Sequence, residues 1–248
     1  MPDKLNKTKG IVLRTVKYGE TSIIVTIFTE LFGVQSYLVN GVRTATKKGT
    51  GKANLFQPSA ILDLVVYQNE LKHLNRIKEF RWGTIYRHVL SDVRMNAVAL
   101  FMVELLTKCL KQPEGNPELF HFTEDIFMKL DESDVAVLAN LPLFFALHLP
   151  FHFGFRITDN YNDENVFLDL QEGVFVAEQP RHPHFLEGRQ AEITSQLLKV
   201  MQPGELKDIK LNHDFRRNLL FVYETYYALH IPDFGTMKSL PVLREILS

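Results

Sequence analysis

Residues 10–40 read GIVLRTVKYGETSIIVTIFTELFGVQSYLVN, and this stretch decides the fold. Ile11, Leu13 and Thr15 alternate with Val12, Arg14 and Val16 until Lys17-Tyr18-Gly19-Glu20 breaks the pattern. Ser22 to Thr29 is rich in β-branched side chains. Leu31-Phe32-Gly33 turns the chain, and Val34 to Val39 is a third short run. Branched and aromatic residues suit a pleated, half-buried surface, and short runs of them between glycine turns mark strands and hairpins. Ala60 to Tyr67 (AILDLVVY) and Lys72 to Phe80 bring the candidate strands to five. Five short strands predict a small closed barrel of the OB type over residues 1–81. With the helical pattern downstream, the fold class is α+β.

Charge sets that segment apart. Residues 1–82 hold thirteen Lys and Arg against six Asp and Glu, a net of +7. The remaining residues hold fifteen against twenty-three, a net of −8, so the overall charge of −1 conceals two halves of opposite sign. A basic half implies an anionic partner. Single-strand sites pair a positive groove with aromatic platforms. The candidate phosphate contacts are Arg14, Lys17, Arg43, Lys47, Lys48, Lys52, Arg76 and Arg81. The candidate platforms are Tyr18 and Tyr37, which flank turns. Phe28, Phe56 and Tyr67 are weighed against a place in the barrel core, the better assignment for Phe28 and Phe56. Such contacts bind without sequence preference and weaken with salt.

The other segments narrow the reading. Residues 1–9 are expected as a loose basic arm, and Gly41 to Gln57 as a long Lys-rich loop, the kind that is functional or solvated. Gly51-Lys52-Ala53 lacks the Ser or Thr of a phosphate-binding loop. From Asp92 the period becomes helical, with Ala97, Val98, Phe101, Met102, Leu105, Leu106, Cys109 and Leu110 on one stripe. Asn116-Pro117 starts a helix running to about Leu130, as N-cap and first residue. Ser133 or Asp134 starts another toward Leu141. Leu143 to Phe153 is apolar all round and predicts a central helix kinked at Pro150. Val166–Leu170 and Gly173–Ala177 predict a short hairpin inside an irregular insert, residues 156–186. Helices are expected again at 188–201, 214–230 and 238–247. The second domain, residues 82–248, is thus mainly helical.

Catalytic constellations are missing from the sequence. His148 and His152 stand four apart, but Pro150 lies between them in apolar surroundings, which favours a structural pair. A single cysteine, Cys109, forms no internal disulfide and suits a reducing cytosol. The charged N-terminus lacks the apolar core of a signal peptide. Leu141–Phe155, broken by Pro142, His148, Pro150 and His152, falls short of the roughly 20 apolar residues that span a bilayer. A cytoplasmic protein with no membrane segment, no cofactor and no catalytic residues is expected.

Gly10-Ile-Val-Leu-Arg14, Tyr18-Gly-Glu-Thr-Ser-Ile-Ile-Val25, Phe32-Gly33, Gly41-Val-Arg43 and Leu55-Phe-Gln-Pro58 are similar to the N-terminal pattern of the RecO family of DNA repair proteins. Leu229 to Leu243 (LHIPDFGTMKSLPVL) is compatible with that family's C-terminal stretch. The resemblance implies an OB-fold joined to a helical domain. It implies a non-enzymatic, nucleoid-associated mediator that binds single- and double-stranded DNA, anneals complementary strands and helps load the RecA recombinase. Its implied partners are the single-strand DNA-binding protein and RecR. The acidic tail of the former calls for a pocket of basic and apolar groups, for which Lys108, Lys111, Arg216 and Arg217 are candidates. Many members carry a four-cysteine zinc site in the second domain. The matching region here, about Phe155 to Ala177, has no cysteine, so no metal is expected. An RNA-binding or translation-associated OB protein is the alternative.

Overall fold

Strand β1 (Lys4–Tyr18) pairs along both of its edges and closes a barrel. In this computed structural model, residues 4–43, 52–69, 72–111 and 114–247 are described. The first half of β1, Lys4 to Ile11, runs antiparallel to β4 (Ile61–Gln68), and the second half, from Gly10, runs antiparallel to β2 (Ser22–Thr29). The expected loose arm is therefore strand from Lys4 onward. The sequence carries no alternation there because the residues facing inward, Thr8 and Gly10 opposite Leu64 and Leu62, are not apolar. β2 pairs with β3 (Gly33–Val39), and β3 makes a two-residue parallel contact with β5 (Asn75–Trp82). β5 returns to β4, giving the order β1-β2-β3-β5-β4 of a closed five-stranded barrel. Its interior holds Val12, Ile23, Val25, Ile27, Tyr37, Val39, Leu62, Leu64 and Val66, with Phe56 from a 3₁₀ turn at Lys52–Phe56.

Gly10 sits where β1 changes partner, opposite both Thr29 and Leu62. A Cβ there would lie 2.4 Å from Ile27 Cγ2 and 2.9 Å from Leu64 Cδ1. Only glycine lets the two strands' core side chains meet.

Among the described residues six α-helices follow: α1 (Val93–Cys109), α2 (Pro117–Asp131), α3 (Val135–His148), α4 (Gly188–Lys199), α5 (His213–His230) and α6 (Ser239–Ile246). The chain forms two units, residues 1–87 with 110–128, and residues 88–109 with 129–248. The greater part of α2 thus belongs with the barrel. Its start is the expected one: Asn116 Oδ1 accepts from Leu119 N–H at 3.0 Å, with Pro117 as first residue. The Phe120 ring lies 5.6 Å from Phe28, and Lys9 Nζ lies 2.8 Å from the buried Glu124. The His121 ring approaches Glu30 at 3.3 Å. Ile11, Phe28 and Ile61 share the outer barrel face by register yet are fully buried.

In the second unit α3 is the core helix, touching α1, α4 and α5. The two segments expected on either side of Pro142 form one helix through it, continued by a 3₁₀ turn at Leu149–Phe153. An internal proline costs about 3 kcal/mol. Burial of ten consecutive or near-consecutive side chains, Val137 to Leu147, outweighs that. Val135–Phe153 is accordingly long and apolar enough to cross a bilayer by length and composition, more than its sequence suggests, but 67% of it is buried inside the unit. Asp134 caps α3 through Val137 N–H at 2.9 Å. Tyr227 donates to the Ala146 carbonyl at 2.8 Å, and Glu104 accepts from the Lys238 and Ser239 N–H groups at the start of α6. The insert is a three-stranded sheet of β6 (Phe167–Asp169), β7 (Val174–Val176) and β8 (Phe185–Leu186), one strand more than the expected hairpin.

Two consequences can be measured. Gly10→Ala should lower unfolding free energy by about 1–3 kcal/mol, the usual result of overpacking, read from the urea midpoint. Burial holds the His148 imidazole below its ordinary 6.5, while a hydrogen bond to the Leu197 carbonyl partly opposes this. The unfolded chain therefore takes up the proton first. The contribution is intact above about pH 6.5 and is lost as pH falls below that value. His148→Gln should flatten the fall in denaturant midpoint between pH 7.5 and 5.

Candidate nucleic-acid interface

A β-bulge fixes which side chains of β1 reach solvent. The register with β2 slips between Val12 and Arg14, so Leu13 is an extra residue. Before it, odd-numbered residues face out; after it, Arg14, Val16 and Tyr18 do, opposite Thr26, Ile24 and Ser22. Thr15 turns inward and donates to the Phe56 carbonyl at 2.6 Å. Across β3 the outer row continues through Leu38 to Arg76 on β5, and on to Tyr67 of β4. Arg14, Lys17, Tyr18 and Arg76 are all exposed, Tyr18 by 54%. Among the described residues none of Arg14, Lys17 and Arg76 has a carboxylate within 4 Å. Tyr67, Lys72, Leu74, Asn75 and Arg76 line a concavity of about 370 Å³ at the β4–β5 connection. One face thus carries the β2–β3 surface and both flanking loops, the surface on which OB barrels seat oligonucleotides.

The other expected residues go elsewhere. Tyr37 is no platform: it is 0% exposed, in the barrel core beside Val25, and its hydroxyl has no hydrogen-bond partner among the described residues. Burial pushes that phenol well up. The β3 register puts Tyr37 on the inward face, which adjacency to a turn could not reveal. Phe28 and Phe56 are buried, as expected. Arg43 is half-buried and donates from Nη1 to the Gly19 carbonyl at 2.9 Å, so it fastens the β1–β2 turn. Lys47 and Lys48 lie outside the described residues. Lys52 returns beside Arg43, since Ala53 N–H donates to the Val42 carbonyl at 3.1 Å. Lys52 and Arg81 line a different groove, with Lys78 and Trp82. Arg81 is 2.9 Å from Asp63. No sequence signal marks Lys72, Lys78 and Trp82, because their place depends on strand pairing that only the fold reveals.

In the second unit, Lys108 Nζ donates to the Phe234 carbonyl at 2.5 Å and lies 4.9 Å above that ring. Arg216 Nη1 donates to the Leu211 carbonyl at 2.5 Å, and Arg217 is 3.3 Å from Asp214. Lys108 and Arg216 therefore brace their own unit. Lys111, which belongs with the barrel unit, is exposed. His148 stacks on Phe144, centroids 4.1 Å apart, as a core histidine.

The polar groups of the insert do not fit a zinc ion. Asp159 accepts from Ser195 Oγ at 2.8 Å and meets Lys199 at 3.5 Å. The Asn160 amide bonds both the N–H and the C=O of Phe175 at 2.9 Å. Asp169 accepts from the Gln171 and Glu172 N–H groups and from His182. Among the described residues no three His, Cys, Asp or Glu side chains come together as metal ligands. Hydrogen bonds hold this sheet where four thiolates would.

Residues 1–86 match the model of the recombination protein O N-terminal domain, and residues 90–240 match that of its C-terminal domain. The chain belongs to the RecO family. It is similar to the DNA repair protein RecO of Phocaeicola vulgatus, 33% identical over 98% of this chain and 100% of the relative. It is 33% identical to that of Bacteroides fragilis, over 98% of this chain and 99% of the relative. It is 31% identical to that of Christiangramia forsetii, over 96% and 98%. In this RecO-family chain the barrel carries exposed cations at Arg14, Lys17, Lys52 and Arg76.

Tyr37→Phe removes a buried hydroxyl with no partner and should leave stability unchanged or raise it by up to about 1 kcal/mol. Thermal unfolding reads this directly. DNA affinity should stay the same in that variant, whereas Tyr18→Ala should lower it.

Proposed function

We propose that this chain is a non-enzymatic recombination mediator in DNA repair. It binds single- and double-stranded DNA without strong sequence preference and anneals complementary strands. It helps load the recombinase on DNA coated by single-strand binding protein, with that protein's acidic tail and RecR as partners, in the cytoplasm at the nucleoid. The barrel, residues 1–81, is the DNA-binding domain; residues 82–248 form the partner-binding domain, in which Arg217 remains a candidate of the second unit and Lys111 falls in the segment that belongs with the barrel unit. One observation carries the proposal. The barrel surface presents Arg14 and Tyr18 on the outer row of β1, Lys17 beside the β1–β2 turn and Arg76 on β5, all exposed, with their cations unpaired among the described residues. Unpaired cations bind a polyanion by releasing its counterions, and an exposed tyrosine beside them offers a base a stacking surface. No catalytic constellation is required of a protein that works by holding strands.

Replacing Arg14, Lys17 and Arg76 together by Ala tests this. Three lost phosphate contacts should weaken binding to a single-stranded oligonucleotide and make the plot of log K against log salt shallower by about 2. An unchanged slope would remove the barrel face from the interface.

A further inference from the structure

A second groove on the same barrel is built from other residues. β5 pairs with β3 only at Asn75 and Arg76; from Ile77 on, its pairing is with β4. The 3₁₀ turn packs against this half of β5, with the Phe56 ring 4.8 Å from Phe80. Lys52, Leu55, Lys78, Phe80, Arg81 and Trp82 line the resulting concavity, of about 570 Å³, with Glu79 as its one acid. Trp82 is half-buried, packed on the barrel core while part of it stays accessible. Lys52 is exposed, with no carboxylate within 4 Å among the described residues. Lys78 and Arg81 each face one acid, Glu79 at 3.7 Å and Asp63 at 2.9 Å. Both pairs are exposed, where such pairs are worth little and exchange readily for a phosphate.

An indole edged by three cations is the chemistry of a single strand: bases stack on the ring while the backbone follows the charges. A duplex keeps its bases stacked on one another and cannot use the ring. The groove is lined by the 78–82 half of β5 and by the 3₁₀ turn, further along the strand than Arg76 of the first site, and the two concavities share no lining residue. We infer that it is a second single-strand site, so that one barrel holds two strands at once and brings them together for pairing. This rests on the DNA-binding reading above and adds a site to it.

Trp82 is the sole tryptophan, so its emission reports this groove alone. The full chain is titrated with oligothymidylate while anisotropy of a labelled strand follows total binding. The expected result is quenching of Trp82 emission as strand is added. Lys52→Ala with Lys78→Ala should abolish the quenching and slow annealing of complementary oligonucleotides about ten-fold or more, with circular dichroism confirming the fold. Binding by anisotropy with Trp82 emission unchanged, or a double variant that anneals like the wild type, overturns the second site and leaves the first standing. No binding at all overturns both.

Discussion

The double use of β1 is the constraint on which the rest depends. A single strand bonds β4 with its first half and β2 with its second, and the two halves overlap at Gly10 and Ile11. That overlap joins β2 to β4, and with the short β3–β5 contact it closes the barrel. It demands a residue without a side chain at Gly10, where Ile27 and Leu64 converge. A few residues on, the extra residue at Leu13 inverts the alternation and delivers Arg14, Val16 and Tyr18 to the outside. Closure and cationic display are thus two consequences of one strand.

Helix α2 decides which part of the outer surface is left for a ligand. It covers the end of the β1–β2 face bearing Ile11 and Phe28, anchored by the Phe28–Phe120 contact and by Lys9 on Glu124. That pair takes one lysine out of the count of available cations. Its partner carboxylate and the neighbouring Asp63 and Glu30 hold the Lys9 amine above its usual range. The exposed cations of the barrel stand on the second half of β1, at Lys52 and along β5.

Much of this was legible in the sequence. The β-branched runs of β2, β3 and β4 announced themselves, and Asn116-Pro117 and Asp134 marked helix starts by their chemistry. Three kinds of feature were not. Lys4 to Lys9 hid a strand because its inward positions are polar. The bulge at Leu13 left no mark in the alternation, so the facing of Arg14 and Tyr18 was fixed only by register. Tyr37 lies inside the barrel and Trp82, which no sequence signal marks, lies at a groove, because position relative to a turn does not determine the side of the sheet. Helix α2 reads as one more amphipathic helix, and its place on the barrel depends on contacts more than a hundred residues apart in sequence, such as Lys9 with Glu124. Composition gave the charge of the barrel; pairing alone gave its distribution.

Hydrogen exchange followed by mass spectrometry, on the full chain with and without a saturating oligothymidylate, tests the central claim most directly. Strand-dependent protection is expected in residues 14–18, 36–38 and 72–76, and in 78–82 where the second groove lies. Protection confined to the helices of the second unit, with the barrel exchanging as in the free protein, would contradict it.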